Sequence, residues 1–157
     1  SDRIWVWGVT PGGIPANAVV PVDRDGVVLA AGEAVLAPAY REFAANFVGD
    51  ESSPEQVRRL ANALEPHRPM VCHLIDSPVH AKLNQVLCDL LFTPIRDGLR
   101  AMLDEQGKKA SGQLLDDTAM FMIAGTQHLF IRAYRDQLGA DPTAERIEQV
   151  RLLLGGI

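Results

Sequence analysis

Residues 113–138 have the sequence QLLDDTAMFMIAGTQHLFIRAYRDQL, and residues 143–157 have the sequence TAERIEQVRLLLGGI. The first stretch predicts a long helix that is apolar on more than one side, and such a helix must be covered on more than one side. Residues 139–142 predict a break between the two. The closing helix, expected over 142–155, is amphipathic because apolar side chains recur in it at helical spacing: Ile147, Val150, Leu153 and Leu154.

These two C-terminal helices predict a homodimer. A chain of 157 residues is the size of one domain, so part of the cover for so much apolar surface is expected from a second copy. Obligate interfaces bury about 2,000 Å² or more. Two helices of ~39 Å and ~21 Å, at 1.5 Å per residue, can present that area. The residues predicted for the dimer interface are Phe121, Gly125, Ile147, Val150, Leu153 and Leu154.

The N-terminal residues 1–32 predict a short β segment. Residues 4–7 are a β-type run of the sequence IWVW, and the short apolar runs 18–22 and 26–30 flank an Asp-x-Asp-Gly turn signal. This pattern favours a β-hairpin. From residue 33 the apolar period changes from two to about 3.6, so we divide the chain into an N-terminal β segment, 1–32, and a helical domain, 33–157.

Start and stop signals divide the helical domain into five or six helices. Ser53-Pro54, with Gln56 three residues after the serine, predicts a capped helix start, and Ser77-Pro78 and Asp141-Pro142 repeat the cap-and-proline pattern. Pro94 predicts a kink or a fresh start, and Gly107 a helix end. The remaining predicted helices cover residues 34–48, 53–64 and 67–76. The predicted fold is a mainly α helical bundle with a short N-terminal β-hairpin.

Composition limits the classes of partner and the cellular setting that we expect for this chain. The formal net charge is −5 and the basic residues are scattered, so the broad electrostatic attraction behind nucleic-acid binding is missing. Two cysteines, Cys72 and Cys88, are too few for a disulfide framework and are expected to be buried thiols. We expect no membrane span, because no apolar stretch approaches 18 residues. Without a signal-peptide pattern at the N-terminus, we expect a cytoplasmic protein.

The side chains that could carry catalysis or bind metal form no known motif. Cys72, His73, Asp76 and His80 lie close together in the sequence, and each residue type can ligate zinc. A new helix is expected to start at Ser77, between the two histidines, and no CxxC or HExxH spacing is present. We therefore predict no metal, no cofactor and no catalytic residue. The alternative that stays open is a small metal-dependent or cofactor-binding enzyme that uses the region 67–80, which also contains His67.

A ligand pocket is a further expectation for the helical domain. His128 lies in the apolar helix 113–138, and a buried imidazole needs a partner for each ring nitrogen. It can be a core or interface histidine, or the polar anchor of an apolar ligand. Methionine and aromatic side chains suit an adaptable pocket, although they suit a core equally well. The predicted ligand-binding residues are Phe92, Met102, Met122 and His128.

Several stretches of the C-terminal half carry a resemblance to a known family. They are FTPIRDGL at 92–99, LDDTA at 115–119, IAG at 123–125 and ERIEQVRLLLGGI at 145–157. With them, residues 83–157 resemble the C-terminal regulatory domain of TetR-family transcriptional repressors. The resemblance implies that the last two helices pair with those of a second subunit in a four-helix bundle. It also implies that earlier helices enclose a small, often apolar effector.

The resemblance does not extend to DNA binding, because residues 1–50 contain no helix-turn-helix pattern. The expected function is that of a small-molecule-sensing and dimerisation domain of a transcriptional regulator type, which binds an apolar effector and does not itself bind nucleic acid. Two alternatives stay open. One is the enzyme described above, and the other is an interaction module whose β segment adds a strand to a partner's sheet.

Overall fold

The computed structural model describes residues 3–8, 18–47 and 53–155; for 3–8, 18–22 and Ser53 it describes the backbone alone. Strands β1 (Arg3–Gly8) and β2 (Ala18–Asp23) pair antiparallel, with Arg3 opposite Asp23 and Gly8 opposite Ala18. Most of the rest of the described chain is helical, which confirms the predicted mainly α fold. The helices are α1 (Arg24–Asn46), α2 (Ser53–Leu64), α3 (Arg68–Ile75), α4 (His80–Glu105), α5 (Gly112–Arg135) and α6 (Ala140–Leu153).

Helix α1 begins ten residues earlier than predicted, at Arg24 instead of residue 34. The predicted strand at 26–30 was therefore wrong. The Asp-x-Asp-Gly signal forms a helix N-cap instead of a hairpin turn, because the Asp23 carboxylate accepts a hydrogen bond of 3.1 Å from the backbone N–H of Asp25. The proposed boundary between residues 32 and 33 falls inside this helix. Whether a β-hairpin packs on the helical body stays a prediction.

Gly32 lets α1 approach its neighbours closely. A Cβ atom at this position would lie 3.0 Å from a methyl carbon of Leu83 on α4 and 3.1 Å from one of Leu74 on α3. Both leucines are buried. The glycine is thus kept in the middle of a helix, where it is a poor helix former, by the packing of α1 against α3 and α4.

Helix α2 begins at Ser53, as predicted, and its start is attached to the end of α1. The Gln56 amide nitrogen donates a hydrogen bond of 2.9 Å to the carbonyl oxygen of Asn46. The Ser77-Pro78 signal had a different outcome. Ser77 Oγ donates to the carbonyl oxygen of Leu74, at 2.8 Å, and so closes the end of α3, while α4 begins at His80.

Helix α4 is continuous through Pro94, so of the two predicted alternatives the fresh start is wrong and the kink stays a prediction. A proline costs the helix one backbone hydrogen bond. Here the buried side chains of Leu91 and Ile95 lie on either side of it and hold the helix in place. The helix ends where predicted, since Gly107 has a φ of +67° and turns the chain toward α5.

The two C-terminal helices are close to their predicted bounds. Ser111 caps α5, because its hydroxyl oxygen accepts a hydrogen bond of 3.1 Å from the backbone N–H of Leu114. Helix α6 starts just before the predicted cap at Asp141. Its first turn is closed by Thr143, whose backbone N–H and hydroxyl both donate to the carbonyl oxygen of Gly139, at 3.1 and 2.7 Å.

The helices pack in a chain of neighbours. α1 packs on α4 and α2, α4 packs on α5, and α2 packs on α6, whereas α5 and α6 touch each other much less. The buried core includes Leu36, Tyr40, Leu60, Leu83, Leu87, Leu91, Ile95, Ala119 and Phe130. None of the helices in the described part of the chain is both long and apolar enough to cross a membrane.

Arg68, at the start of α3, attaches that helix to the turn between α5 and α6. Its guanidinium donates a hydrogen bond to the carbonyl oxygen of Leu138 in that turn. It also lies 4.6 Å from the ring centre of Tyr134, near the end of α5, which is a favourable cation–π arrangement. A further hydrogen bond of 3.0 Å, from Arg68 Nε to Glu65, orients the guanidinium. The α5–α6 turn is therefore held against the α3 end of the bundle.

Candidate functional site

An open cavity of about 360 Å³ lies between α5 and α6, over a floor supplied by α1, α2 and α4. This volume falls within the 300–1,000 Å³ typical of small-molecule sites. Most of the lining side chains are apolar. The described residues that line it are Phe43, Phe47, Val57, Leu60, Leu91, Ile95, Phe121, Met122, Ile123, Gly125, Thr126, Gln127, Leu129, Phe130, Ile147, Val150, Arg151 and Leu154.

The cavity runs from an exposed apolar mouth to a buried inner end. We define the mouth by four residues, Phe121, Gly125, Val150 and Leu154. The Phe121 side chain is 71% exposed and that of Leu154 is 49% exposed, whereas Phe130 at the inner end is only 2% exposed. Large apolar side chains on the surface of a soluble protein often mark a binding site. Access from solvent is therefore through apolar surface.

The charged group nearest the mouth is neutralised within its own helix. Arg151 lines the cavity, and its Nε donates a hydrogen bond of 2.8 Å to a carboxylate oxygen of Glu148. The second guanidinium nitrogen bonds the other oxygen at 2.5 Å. These hydrogen bonds lower the pKa of Glu148 below its ordinary value. The pair lies partly in solvent, so it marks a polar edge beside the mouth.

One lining residue at the inner end of the cavity, Gln127, belongs to a buried polar pair. The Tyr40 hydroxyl, on α1, donates a hydrogen bond of 2.8 Å to Oε1 of Gln127, on α5. Both side chains are buried. Burial raises the pKa of Tyr40 above its ordinary value, so the phenol keeps its proton at neutral pH and acts as the donor. The pair joins two helices and places one amide group in an apolar wall.

Gln127 also lines a second, much smaller cavity of about 50 Å³, and Tyr40 lines this cavity but not the larger one. His80 and Asn84 border the small cavity from α4. Asn84 Oδ1 is buried and has no hydrogen-bond partner in the described part of the protein. Burial, and the nearby charge of Arg135, lower the pKa of His80. The volume is well below that of small-molecule sites, so the larger cavity is the candidate ligand site.

Comparison of the chain with protein-family models, with curated proteins and with solved structures finds no match. The resemblance of residues 83–157 to TetR-family regulatory domains therefore stays an expectation.

The four predicted ligand-binding residues do not come together. Met122 lines the large cavity, whereas Phe92, Met102 and His128 are not among its lining residues. Phe92 is half-buried against the core, and Met102 and His128 are exposed. Met122 and His128 are six positions apart, which separates them by about 120° around the helix axis. His128 shares the outer face of α5 with the exposed Arg132.

Five of the six predicted interface residues lie around the cavity. Four of them are the mouth residues, and the fifth, Ile147, lies deeper and is buried within its own chain. The sixth, Leu153, is 87% exposed. A Cβ atom at Gly125 would have no neighbouring atom within 4 Å in the described structure. The homodimer itself stays a prediction.

The histidine-rich region 67–80 is spread over two helices. His67 and His73 are exposed, Cys72 is half-buried on α3, and His80 begins α4. Among the residues that the structure describes, no three histidine, cysteine or acidic side chains form a group that could hold a metal ion.

The sequence interpretation missed Tyr40 and Gln127. A signal for Gln127 was present, because one stripe of α5 at helical spacing is buried and contains a single amide side chain. That stripe is Leu115, Ala119, Ile123, Gln127, Phe130 and Tyr134. An isolated amide in such a stripe needs a partner. No comparable signal marks Tyr40, whose partner lies 87 positions away in the sequence.

Proposed function

We propose that this chain is a small-molecule-sensing and dimerisation domain of the transcriptional-regulator type. The observation that carries the proposal is the cavity of about 360 Å³ between α5 and α6. Its lining is mostly apolar and holds a few polar groups, a composition typical of sites for small apolar molecules. The resemblance of residues 83–157 to TetR-family regulatory domains agrees with this assignment. A cytoplasmic location remains part of the same proposal.

Dimerisation is proposed because apolar side chains surround the cavity mouth. Phe121 on α5 and Leu154, the residue after α6, both line it, and the adjoining Leu153 is 87% exposed. A symmetric dimer uses the same patch on both subunits. Helices α5 and α6 of two copies would therefore meet as four helices and cover each other's exposed apolar residues. Ligand entry and subunit contact would then involve the same mouth residues.

The decisive experiment is native mass spectrometry of the wild-type chain and two matched variants. Leu153→Asp puts a charge in the proposed interface, and Val27→Asp puts the same charge on α1, where Val27 is 45% exposed. We expect a dimer for the wild type and for Val27→Asp, and a monomer for Leu153→Asp. A wild-type monomer, or a Leu153→Asp variant that is still dimeric, would contradict the dimer assignment.

The ligand half of the proposal is tested by filling the mouth. Gly125→Leu adds a side chain in open space at the mouth, and it also improves helix propensity, so the variant is expected to fold. Ethylbenzene is a suitable apolar probe, and its binding can be followed by NMR titration. We expect binding to the wild type and to Gly125→Ala, and at least tenfold weaker binding to Gly125→Leu. Unchanged binding to Gly125→Leu would place the probe elsewhere and refute the site.

A further inference from the structure

We propose that the cavity between α5 and α6 selects an uncharged apolar molecule that carries a hydrogen-bond acceptor, such as a ketone or ester carbonyl, and that the side-chain amide of Gln127 donates to it. This inference rests on the proposed ligand-binding function and names the chemical class of the ligand. It follows from the hydrogen bonding at the two ends of the Gln127 amide, from the side chains that line the cavity around it, and from the position of its partner Tyr40 on α1.

The oxygen end of the amide is already occupied. Gln127 Oε1 accepts the hydrogen bond of 2.8 Å from the Tyr40 hydroxyl. A phenol has one proton to donate, and the Tyr40 hydroxyl keeps it at neutral pH, because burial raises a pKa that is ordinarily 10.0. Because this bond fixes the oxygen toward α1, the –NH₂ group of the same planar amide must point away from Tyr40. Tyr40 thus acts as a positioning residue for Gln127.

The nitrogen end of the amide is unoccupied and accessible. Gln127 Nε2 donates no hydrogen bond to any residue in the described ranges, where the Tyr40 contact is the one recorded for this side chain. Nε2 is also not fully buried. In those ranges a single side-chain polar atom is both fully buried and without a partner, and that atom is Asn84 Oδ1. Gln127 is 9% exposed and lines the large cavity. Gln127 also lines the small cavity, but Tyr40 lines the small cavity and not the large one. The nitrogen lies on the side of the amide away from Tyr40, so we assign its free donors to the large cavity.

The lining around Gln127 excludes a charged ligand at the inner end. The charged residue among the described lining residues is Arg151, which lies near the mouth and is bonded to Glu148. A carboxylate at the inner end would be buried without a counter-charge, which is costly. A neutral carbonyl oxygen instead gains one hydrogen bond to a donor that is otherwise unpaired. The rest of the ligand would contact side chains such as Ile123, Phe130 and Ile147.

Three probes with one skeleton test the inference by NMR titration of the full chain: acetophenone, 1-phenylethanol and ethylbenzene. They differ at one carbon, which carries a carbonyl, a hydroxyl or no polar atom. We expect the wild type to bind acetophenone about tenfold more tightly than ethylbenzene, the gain of one neutral hydrogen bond. In Gln127→Met, which has a similar shape and no amide, that ratio should fall to about one. Ethylbenzene binding should be kept.

Two further variants separate the roles of neighbouring groups. Thr126→Val removes the other neutral polar side chain of the lining and should leave the preference for acetophenone unchanged. Tyr40→Phe frees Gln127 Oε1, so the amide can rotate. The preference for acetophenone should then shrink, and 1-phenylethanol, which can donate, should bind relatively better. Circular dichroism of each variant at the titration temperature verifies that it is folded.

The possible failures are distinguishable. If the wild type binds ethylbenzene and acetophenone equally, or binds 1-phenylethanol most tightly, the assignment of an amide donor is overturned and the proposed ligand-binding function stands. If the preference disappears in Thr126→Val and persists in Gln127→Met, the donor is Thr126 and the inference is again overturned. If no probe binds to the wild type, this inference and the proposed ligand site both fail.

Discussion

Two glycines within helices, Gly32 and Gly125, give a matched test of the packing. Glycine in a helix interior is about 0.8–1.0 kcal/mol less favourable than alanine, so Gly→Ala gains that amount where the new methyl group has room. At Gly125 a Cβ meets no described atom within 4 Å, whereas at Gly32 it lies 3.0 Å from Leu83 and 3.1 Å from Leu74. Forcing extra volume into a packed core costs about 1–3 kcal/mol.

We therefore expect Gly125→Ala to raise the free energy of unfolding by about 1 kcal/mol, because only the propensity gain applies. In a chain of this size that corresponds to a rise in Tm of about 2–4 °C. For Gly32→Ala the gain is offset by overpacking, so we expect between no change and a loss of about 2 kcal/mol. Urea unfolding followed by circular dichroism measures both variants at one protein concentration. Equal shifts for the two variants would refute the packing argument, and a loss at Gly125 would mean that its surroundings are occupied.

Two further predictions concern a cap and a titrating side chain. Ser111→Ala removes the hydroxyl that accepts from the Leu114 N–H at 3.1 Å, so we expect a loss of about 1 kcal/mol in unfolding free energy, largely avoided in Ser111→Asp. Equal stability of Ser111→Ala and wild type in urea would contradict this cap. The pKa of His80 is lowered from its ordinary value of 6.5 by burial and by Arg135 and His128, with Asp76 acting in the opposite sense. The unfolded chain therefore takes up this proton first as pH falls, so stability should decline from pH 7 through 6.5 and level off below the folded-state pKa. The decline should be smaller in His80→Gln, and an identical decline in both proteins would rule His80 out as its cause.

Much of the fold was predictable from the sequence because local signals agreed with the packing. The start of α2 at Ser53, the end of α4 near Gly107 and the helical nature of α5 and α6 were all indicated by caps, glycines and apolar spacing. The start of α1 was not predictable, because the sequence Asp-x-Asp-Gly is compatible both with a hairpin turn and with the start of a helix. In the folded chain this stretch is helical, and its Gly32 lies close against Leu74 and Leu83, so tertiary packing favours the helix start.

The candidate site was less predictable, for a geometric reason. Helix α5 is apolar on more than one side, so its sequence alone does not fix which of these sides faces the core. His128 and Gln127 are adjacent and therefore about 100° apart on the helix. The structure exposes His128 and buries Gln127. The choice depends on contacts from distant elements, above all from Tyr40 on α1. The same limit affects Ile147: because it is buried in its own chain, a charge there would report on folding, and Leu153 is the better probe of a dimer.

The link from Arg68 to the Leu138 carbonyl has a mechanical consequence. It holds the turn that joins α5 to α6 against α3, so the ends of the two helices next to that turn are fixed relative to the bundle. Any widening needed to admit a bulky guest is therefore expected far from that turn, between Leu154, which follows the end of α6, and Phe121 in the N-terminal half of α5. We expect a larger guest to displace the C-terminal end of α6 more than a smaller one.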